Sequence, residues 1–237
     1  RVQGRISEDP ANKMQLVVKN LGIDLVNSLT SEKFDGTLNA DFTFQNLYGD
    51  VTFQSEFAIN KFTVNNFLVG DVSGSSTWDP EQDAFIINFF VDYLQNRVVD
   101  ITGLYNPSHK DQSMNLTARL NKTNIKIIEP VMRGLFSNWD GTATGEFDIK
   151  GTAAQPDVSG QALIEKGKVT VDYLKTTYGV TGRISLNHNQ IHLQNLSLTD
   201  AFGNKGDVDG VIAHRDFSKF RINLDASFRN FQLLNTS

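Results

Sequence analysis

The sequence predicts an all-β fold built from many short, mostly antiparallel strands. Three observations indicate this class. Apolar residues alternate with polar ones, as from Phe220 to Phe228; glycine and Asx turn signals recur; and one unit of about 105 residues occurs twice. A period of two marks strands with one apolar and one solvated face, and frequent turn signals indicate short antiparallel strands. On this pattern alone an ordinary β-sandwich, which has the same alternation, remains open.

The internal repeat divides the chain. The stretch "FDGTLNADFTF" beginning at Phe34 returns as "WDGTATGEFDI" beginning at Trp139. Further matches follow in the same order: "KFTV" with "KVTV", "DITGL" with "DVDGV", "NLTARL" with "NLDASF", and "NIKII" with "NFQLL". The early stretch "KNLGIDLVNSL" resembles the closing segment of the unit. We therefore predict the tail of a preceding repeat over 1–33, a first repeat unit over 34–138 and a second over 139–237.

Two stretches depart from the strand pattern. "LVNSL" (Leu25 to Leu29) and "VMRGL" (Val131 to Leu135) place apolar residues at positions i, i+1 and i+4, which is a helical stripe. Pro130 stands just before the second stretch, and proline suits a first helical turn. We predict a short helix at each repeat boundary.

Composition excludes several classes of function. The net charge is −5 and no block of like charges occurs, which argues against a nucleic-acid surface. The chain has no cysteine, so disulfides and thiolate chemistry are excluded. The run "AFIINFFV" is far shorter than the roughly 20 residues of a membrane helix. Because the chain starts with Arg1 and shows no signal peptide, we expect a piece of a longer protein.

Candidate chemical groups are few. His188 and His192 are four positions apart, a zinc-binding spacing on a helix. On a strand they would lie ~13 Å apart, so solvated histidines are favoured. Asp200, Asp207 and Asp209 suggest a calcium loop, but only one of them recurs in the first copy, so a turn role is favoured. We find no catalytic constellation, and expect no enzyme activity, no cofactor and no metal.

Three motifs in the second copy carry a family resemblance. They are "GTAAQPDVSG" (Gly151 to Gly160), "DYLKTTY" (Asp172 to Tyr178) and "DAFGN" (Asp200 to Asn204). With their order and spacing, the chain resembles the TamB family, the AsmA-like translocation-and-assembly proteins of Gram-negative envelopes. The match is close from Trp139 to Thr236 and looser over the first copy.

This resemblance implies a fold and a role. The fold is a long β-sheet bent lengthwise into an open trough with an apolar lining, a β-taco. The role is that of a segment of a periplasmic bridge that carries phospholipid acyl chains between the inner and outer membranes. It also implies an internal periplasmic fragment of an inner-membrane-anchored protein, with an outer-membrane β-barrel protein as a partner through parts outside this fragment.

The alternation selects the side chains that would line such a trough. They are Phe42, Phe44, Phe62, Val64, Phe147, Ile149, Val169, Val171, Ile184, Leu186, Ile191, Leu193, Phe220, Ile222, Leu224 and Phe228. Burying an acyl chain gains ~0.8 kcal/mol per CH₂, on the order of 10 kcal/mol for a whole chain. Two alternatives stay open: a structural β-repeat protein with a closed core, and a scaffold for outer-membrane protein assembly that uses strand edges.

Overall fold

The computed structural model describes residues 1–4, 12–30, 32–46, 52–130, 132, 134–215 and 218–234. Strands make up most of these residues, and the helical part of the described chain consists of two short 3-10 helices. None of the described helices is long and apolar enough to cross a membrane. The chain divides into two compact units.

The first unit comprises residues 1–118 and 150–153. Its strands are β1 (Val2–Gly4), β2 (Lys13–Gly22), β3 (Phe34–Gln45), β4 (Thr52–Val64), β5 (Phe67–Asp79), β6 (Ala84–Tyr93) and β7 (Asn96–Tyr105). Each strand pairs antiparallel with the next one along the chain. Antiparallel neighbours need only short connections, so this unit is a meander.

The second unit comprises residues 119–149 and 154–237. The strands that lie wholly within it are β10 (Pro156–Val171), β11 (Thr176–Asn187), β12 (Gln190–Thr199), β13 (Lys205–Arg215) and β14 (Ser218–Phe228). They too pair antiparallel in chain order. Strands β8 (Met114–Asn124) and β9 (Phe136–Gly151) each contribute residues to both units.

The predicted all-β, antiparallel class is confirmed. Pairing runs from each strand to the next, and no described strand pairs back to close a barrel, so the sheet is open. The predicted segments 34–138 and 139–237 describe sequence copies rather than compact units, and they stay a prediction.

Both predicted short helices have a counterpart, but the second lies earlier in the chain. The first is a 3-10 helix over Ile23–Ser28, which overlaps the predicted stretch. The second is a 3-10 helix over Ile125–Ile128, where the side chain of Asn124 accepts a hydrogen bond from the backbone N–H of Lys126. Of the predicted stretch, Val131 and Arg133 lie outside the described residues, and the others form turns. A helix does not continue there because Gly134 has φ +83°.

β-Bulges recur in alternate strands. Asn20 in β2, Lys61 in β4, Lys166 in β10 and Asn195 in β12 have φ between 47° and 53°, and the strand register shifts at each of them. A bulge inserts one extra residue. It thereby keeps apolar residues three positions apart, such as Leu193 and Leu196, on the same face of the strand.

The bulges are held by side chains of the neighbouring strand. The backbone N–H of Lys61 donates to Oδ1 of Asp71 at 2.8 Å. The N–H of Asn20 donates to Oδ1 of Asn39 at 3.0 Å. The bulge N–H has lost its ladder partner, so a side-chain acceptor compensates for the interrupted pairing.

The repeat also returns as a structural contact. Gly103 of "DITGL" and Gly210 of "DVDGV" have φ of +145° and +139°. A Cβ on Gly103 would lie 2.2 Å from the carbonyl oxygen of Asn115, and one on Gly210 would lie 2.3 Å from that of Asn223. Asn115 and Asn223 begin the matching stretches "NLTARL" and "NLDASF". The two copies therefore place the same glycine against the same position of the following strand.

Candidate functional site

Strand register assigns each side chain to a face of the sheet, because directly opposed residues of antiparallel strands point the same way. In the first unit one face is almost wholly apolar, and we call it the apolar face. It carries Met14, Leu16, Val18, Ala40, Phe42, Phe44, Phe53, Phe57, Ile59, Val72, Trp78, Phe85, Ile87, Phe89, Val91, Val99, Ile101 and Tyr105. The other face is mostly polar.

Aromatic rings connect the strands of this face. The ring centroids of Phe44 and Phe53 are 5.0 Å apart, and those of Phe53 and Phe85 are 5.4 Å apart. Trp78 and Phe85 contact at 4.9 Å in a T-shaped arrangement. Phe85 also stacks with Tyr105 at 6.4 Å. Such pairs add about 0.5–1.5 kcal/mol each beyond their buried area, so the aromatic residues hold the face together without a second layer.

The second unit has an apolar face of its own. Register places these residues on it: Ala162, Ile164, Val169, Val171, Tyr178, Val180, Ile184, Leu186, Ile191, Leu193, Leu196, Leu198, Val208, Ile212, Ile222, Leu224, Ala226 and Phe228. A buried cluster around Ala162, Ile164 and Val180 forms its centre, and Phe147 packs against that cluster.

The apolar faces are covered only in part. No side chain among the described residues is completely buried. In the first unit the most buried positions are small or medium-sized, such as Val72 and Val91 at 3% exposure, whereas Phe53 and Phe85 are half-buried. In the second unit Tyr178 is buried at 3% exposure, but Ile222 and Leu224 on the same face are 52% and 38% exposed. A core sealed between two layers buries its largest side chains completely. In each unit the apolar face therefore stays accessible from outside.

The chain itself covers one part of the second unit's face. From the second 3-10 helix, Ile125 is buried at 6% exposure against the apolar cluster. Near the other end of the chain, Phe231 stacks on Tyr178 at 5.3 Å and on Phe228 at 4.5 Å. The hydroxyl of Tyr178 donates to the carbonyl oxygen of Leu233 at 2.9 Å. Burial raises the pKa of this hydroxyl, so it stays protonated and can donate.

The "DAFGN" turn anchors that terminal segment. The carboxylate of Asp200 accepts hydrogen bonds from the backbone N–H groups of Phe202, Asn204 and Gln232 and from the side chain of Asn204. Burial raises the pKa of Asp200, but these donors outweigh burial and leave its pKa below the ordinary value. The predicted turn role is confirmed for Asp200 but is wrong for Asp207 and Asp209, which lie within strand β13.

The other candidate chemical groups are structural. His188 lies in the turn after β11 with φ +48°, not in a strand as predicted, and its Nδ1 lies 2.8 Å from the carboxylate of Asp157. His188 and Asn189 form the turn between β11 and β12, so β11 ends at Asn187. Oδ1 of Asp209 accepts from the backbone N–H of the bulge residue Asn195. Among the described residues no group of three or more His, Asp or Glu side chains could hold a metal ion.

Strand register or packing places the following predicted lining residues on the apolar faces. In the first unit Phe42 and Phe44 belong to the aromatic group, Phe62 stacks on Phe34 at 6.1 Å, and Val64 lies opposite Phe34. In the second unit, register or packing places these predicted residues on the apolar face: Phe147, Val169, Val171, Ile184, Leu186, Ile191, Leu193, Ile222, Leu224 and Phe228. Phe220 contacts the ring of His214 at 6.2 Å, and Ile149 is half-buried in β9. Their role as a lipid lining stays a prediction.

Sequence reasoning missed several residues of the same faces. Phe53, Phe85 and Trp78 are central to the aromatic group, and Leu196 and Tyr178 belong to the second unit's face. Leu196 was not predicted because it follows Leu193 by three positions, which breaks the period of two. A bulge between them puts both on the same face. An Asn or Lys between two apolar residues spaced by three is the signal that identifies such a bulge.

Each unit is therefore an open antiparallel sheet with an accessible apolar face, which defines the class of β-sheet proteins that expose an apolar surface. Residues 92–197 match the family model of the TamB C-terminal domain. This match covers 106 of the 237 residues, and over that stretch the chain is similar to the TamB family. Comparison with curated proteins and with solved structures gives no match.

Proposed function

We propose that this chain is a non-enzymatic segment of a periplasmic bridge, and that its apolar faces carry phospholipid acyl chains between the inner and outer membranes. The supporting observation is that each unit has an apolar face on which large side chains are still partly exposed, such as Phe53 and Phe85 in the first unit and Leu224 in the second. The similarity of residues 92–197 to the TamB C-terminal domain agrees with an envelope protein. In this proposal the protein is anchored in the inner membrane through parts outside the chain, and an outer-membrane β-barrel protein is a partner.

The energy of such a contact suits a carrier. An acyl chain gains ~0.8 kcal/mol for each CH₂ taken out of water, on the order of 10 kcal/mol in all. Phe, Leu, Ile and Val supply this contact without hydrogen-bond donors or acceptors that would fix the chain at one position. Repeated units offer similar surfaces at successive positions, which keeps barriers to sliding low.

The polar faces fit the same role. On the polar face of the first unit, Arg97 lies 3.8 Å over the ring of Phe90 and pairs with Asp92. In the second unit, Arg119 pairs with Glu146 at 2.7 Å. Exposed pairs of this kind contribute little to stability. They keep the polar face of each unit solvated, so that only the apolar face offers a surface to acyl chains.

The test is the lipid that the purified chain carries. We expect mass spectrometry to find phospholipid in the purified protein, and photo-crosslinkers at Phe44 and Leu193 to label it. Leu193→Asp places a charge on the apolar face of the second unit and should lower the amount of bound lipid. His192→Asp is the matched control, because His192 is the adjacent residue on the polar face, opposite Ser185.

The outcomes separate the alternatives. An undiminished amount of bound lipid in Leu193→Asp, or crosslinks that are equal at positions 192 and 193, would overturn the proposal. A loss of several kcal/mol of stability in Leu193→Asp, with no lipid in the parent protein, would favour a structural protein with a closed core. Capture of unfolded β-barrel protein by a strand edge, in the absence of lipid, would favour the assembly scaffold.

A further inference from the structure

Strands β2, β8 and β14, which we call the closing strands, share a residue in the left-handed conformation. Asn20 in β2 has φ +52°, Lys122 in β8 has φ +49°, and Asn230, two residues after β14, has φ +52°. Apolar residues stand six, four and two positions before each of them: Met14, Leu16 and Val18, then Leu116, Ala118 and Leu120, and last Leu224, Ala226 and Phe228. Asn20, Lys122 and Asn230 are therefore equivalent positions.

The strand that follows a closing strand supplies an acceptor for this residue. The backbone N–H of Asn20 donates to Oδ1 of Asn39 in β3 at 3.0 Å. The N–H of Lys122 donates to Oγ1 of Thr144 in β9 at 3.1 Å. Asn39 and Thr144 are each the sixth residue of the stretch that begins "FDGT" or "WDGT", which we call the opening motif. The contact is thus a repeated feature of the junction between a closing strand and an opening motif.

The third closing strand has no such neighbour. Among the described residues β14 pairs only with β13, and the N–H of Asn230 has no hydrogen-bond acceptor. β14 stops before Asn230, whereas β2 and β8 each continue two residues past their left-handed residue. Ala118 of β8 is buried at 7% exposure, but its counterpart Ala226 is exposed. The outer edge of β14 therefore has the exposure expected when a neighbouring strand is missing.

Nothing in the described chain protects this edge. From Phe220 to Phe228 the strand contains no proline and no register shift, the two devices that commonly block the edge of a sheet. The terminal segment turns away from it, because Phe231 stacks on Tyr178 of β11 at 5.3 Å. An extended chain can therefore add to β14 through backbone hydrogen bonds.

We propose that β14 pairs along this edge with an opening motif of one more repeat unit. Its occupant is a strand that carries an aromatic residue, then Asp-Gly-Thr, and Asn or Thr at the sixth position. The side chain of that sixth residue accepts from the N–H of Asn230, as Asn39 accepts from Asn20. Backbone hydrogen bonds supply the affinity, and the left-handed residue sets the register. This pairing is independent of lipid carriage by the apolar faces.

The eighth residue of the opening motif also contacts the closing strand. In β3 this residue is Asp41, whose Oδ2 accepts from Nε2 of Gln15 at 2.7 Å. In β9 it is Glu146, which pairs with Arg119 at 2.7 Å. At both junctions a carboxylate on the opening motif therefore meets a donor on the closing strand.

The surroundings of this eighth position differ on β14. The counterparts of Gln15 and Arg119 are Asp225 and Ser227. The other charged residues near them are two carboxylates of β13 directly opposite and two basic residues at the end of the strand pair: Asp209, Asp207, Lys205 and Arg229. Three carboxylates outnumber two cations there, and like charges on neighbouring strands repel. We therefore expect the occupant to carry a lysine at the eighth position rather than a carboxylate.

The experiment is fluorescence anisotropy of a labelled synthetic peptide, residues 139–150 with Glu146→Lys, titrated with the purified chain. Its twelfth residue should reach Asn223, because Gln45 lies opposite Lys13 in the pair of β2 and β3. We expect saturable binding and slower amide hydrogen exchange over residues 223–230. The same peptide with Thr144→Val should bind at least about fivefold more weakly, the factor expected for one lost hydrogen bond. The peptide that keeps Glu146 should also bind more weakly.

The variants of the chain change one backbone group. Asn230→Pro lacks the N–H and cannot adopt a positive φ, so we expect it to lose peptide binding. Asn230→Gly is the matched control, because glycine keeps the N–H and adopts a positive φ, and it should bind as the parent does. Leu193→Asp should also bind the peptide normally, which keeps this test apart from lipid carriage.

Four results would overturn the proposal. They are a parent chain that does not bind the peptide, slower exchange that lies outside β14 and Asn230, equal binding of the Thr144→Val peptide, and equal binding by Asn230→Pro. A chain that forms dimers through β14 without competition from the peptide would overturn it as well, since the edge would then take a second copy.

Discussion

The backbone N–H of Asn195 donates a hydrogen bond of 2.7 Å to Oδ1 of Asp209 on the neighbouring strand. Asn195 is a bulge residue with φ +47°, and its amide would otherwise have no ladder partner. The same contact joins Lys61 to Asp71 in the first unit. A side chain on the polar face thus fixes the bulge that keeps Leu193 and Leu196 together on the apolar face.

Removal of that acceptor should loosen the bulge. We expect Asp209→Ala to lower the free energy of unfolding by about 1 kcal/mol. The backbone N–H of Asn195 would lose its acceptor in the protein and could bond only to water. Urea denaturation measures the change. Asp207→Ala is the control, since Asp207 is exposed on the same strand and lies opposite Ser197 rather than a bulge. An equal loss of stability in both variants would show that the bulge contact has no special role.

The repeated glycine should not tolerate a side chain. In Gly210→Ala the new Cβ would meet the carbonyl oxygen of Asn223 at 2.3 Å, at a φ of +139° that alanine avoids. Strain and clash together should cost about 3 kcal/mol or more. Gly179→Ala is the matched control, because its Cβ would have Thr199 Cβ at 3.4 Å as nearest atom and its φ is not positive. We expect that variant to change stability by about 0.5 kcal/mol or less, and similar losses in both would contradict this account.

The strand class could be predicted from the sequence because it depends on local pattern. Alternation such as that of Ile191 and Leu193 needs no tertiary information. The glycines of "DITGL" and "DVDGV" also have equivalent surroundings, since each lies against an asparagine carbonyl of the following strand. The position of the second helix could not be predicted so well. "IKII" has no helical stripe, and its 3-10 turn depends on the Asn124 cap and on burial of Ile125 against the sheet.

Other parts of the candidate site depend on pairing between distant residues. Phe53 and Phe85 lie on different strands, and only the register brings their rings to 5.4 Å. The return of Phe231 to Tyr178 depends on two hydrogen bonds of the segment that follows the last strand. The backbone N–H of Gln232 donates to Asp200, and the hydroxyl of Tyr178 donates to the carbonyl oxygen of Leu233. No periodicity in the sequence reports contacts of this kind.

The hydroxyl of Tyr178 should hold the terminal segment in place. Tyr178→Phe keeps the ring that stacks on Phe231 but removes the hydrogen bonds to the carbonyl oxygens of Gln232 and Leu233. We expect faster amide hydrogen exchange over the terminal segment and a loss of about 1 kcal/mol. Tyr173→Phe is the control, because Tyr173 is 91% exposed. Unchanged exchange in Tyr178→Phe would show that ring stacking alone holds the segment.

The carboxylate of Asp200 should make the second unit sensitive to acid. Its hydrogen bonds from Asn204, Gln232 and Phe202 outweigh burial and place its folded pKa below the ordinary 3.8. The folded state therefore binds the proton less readily than the unfolded state. The stabilisation is fully present above the unfolded pKa and is lost as pH falls through the folded pKa. We expect Asp200→Asn to be less stable than the parent at neutral pH and to lose less stability below about pH 4, as measured by urea denaturation across pH. Asp207→Asn is the control and should follow the parent curve; an acid dependence of Asp200→Asn equal to that of the parent would contradict the assignment.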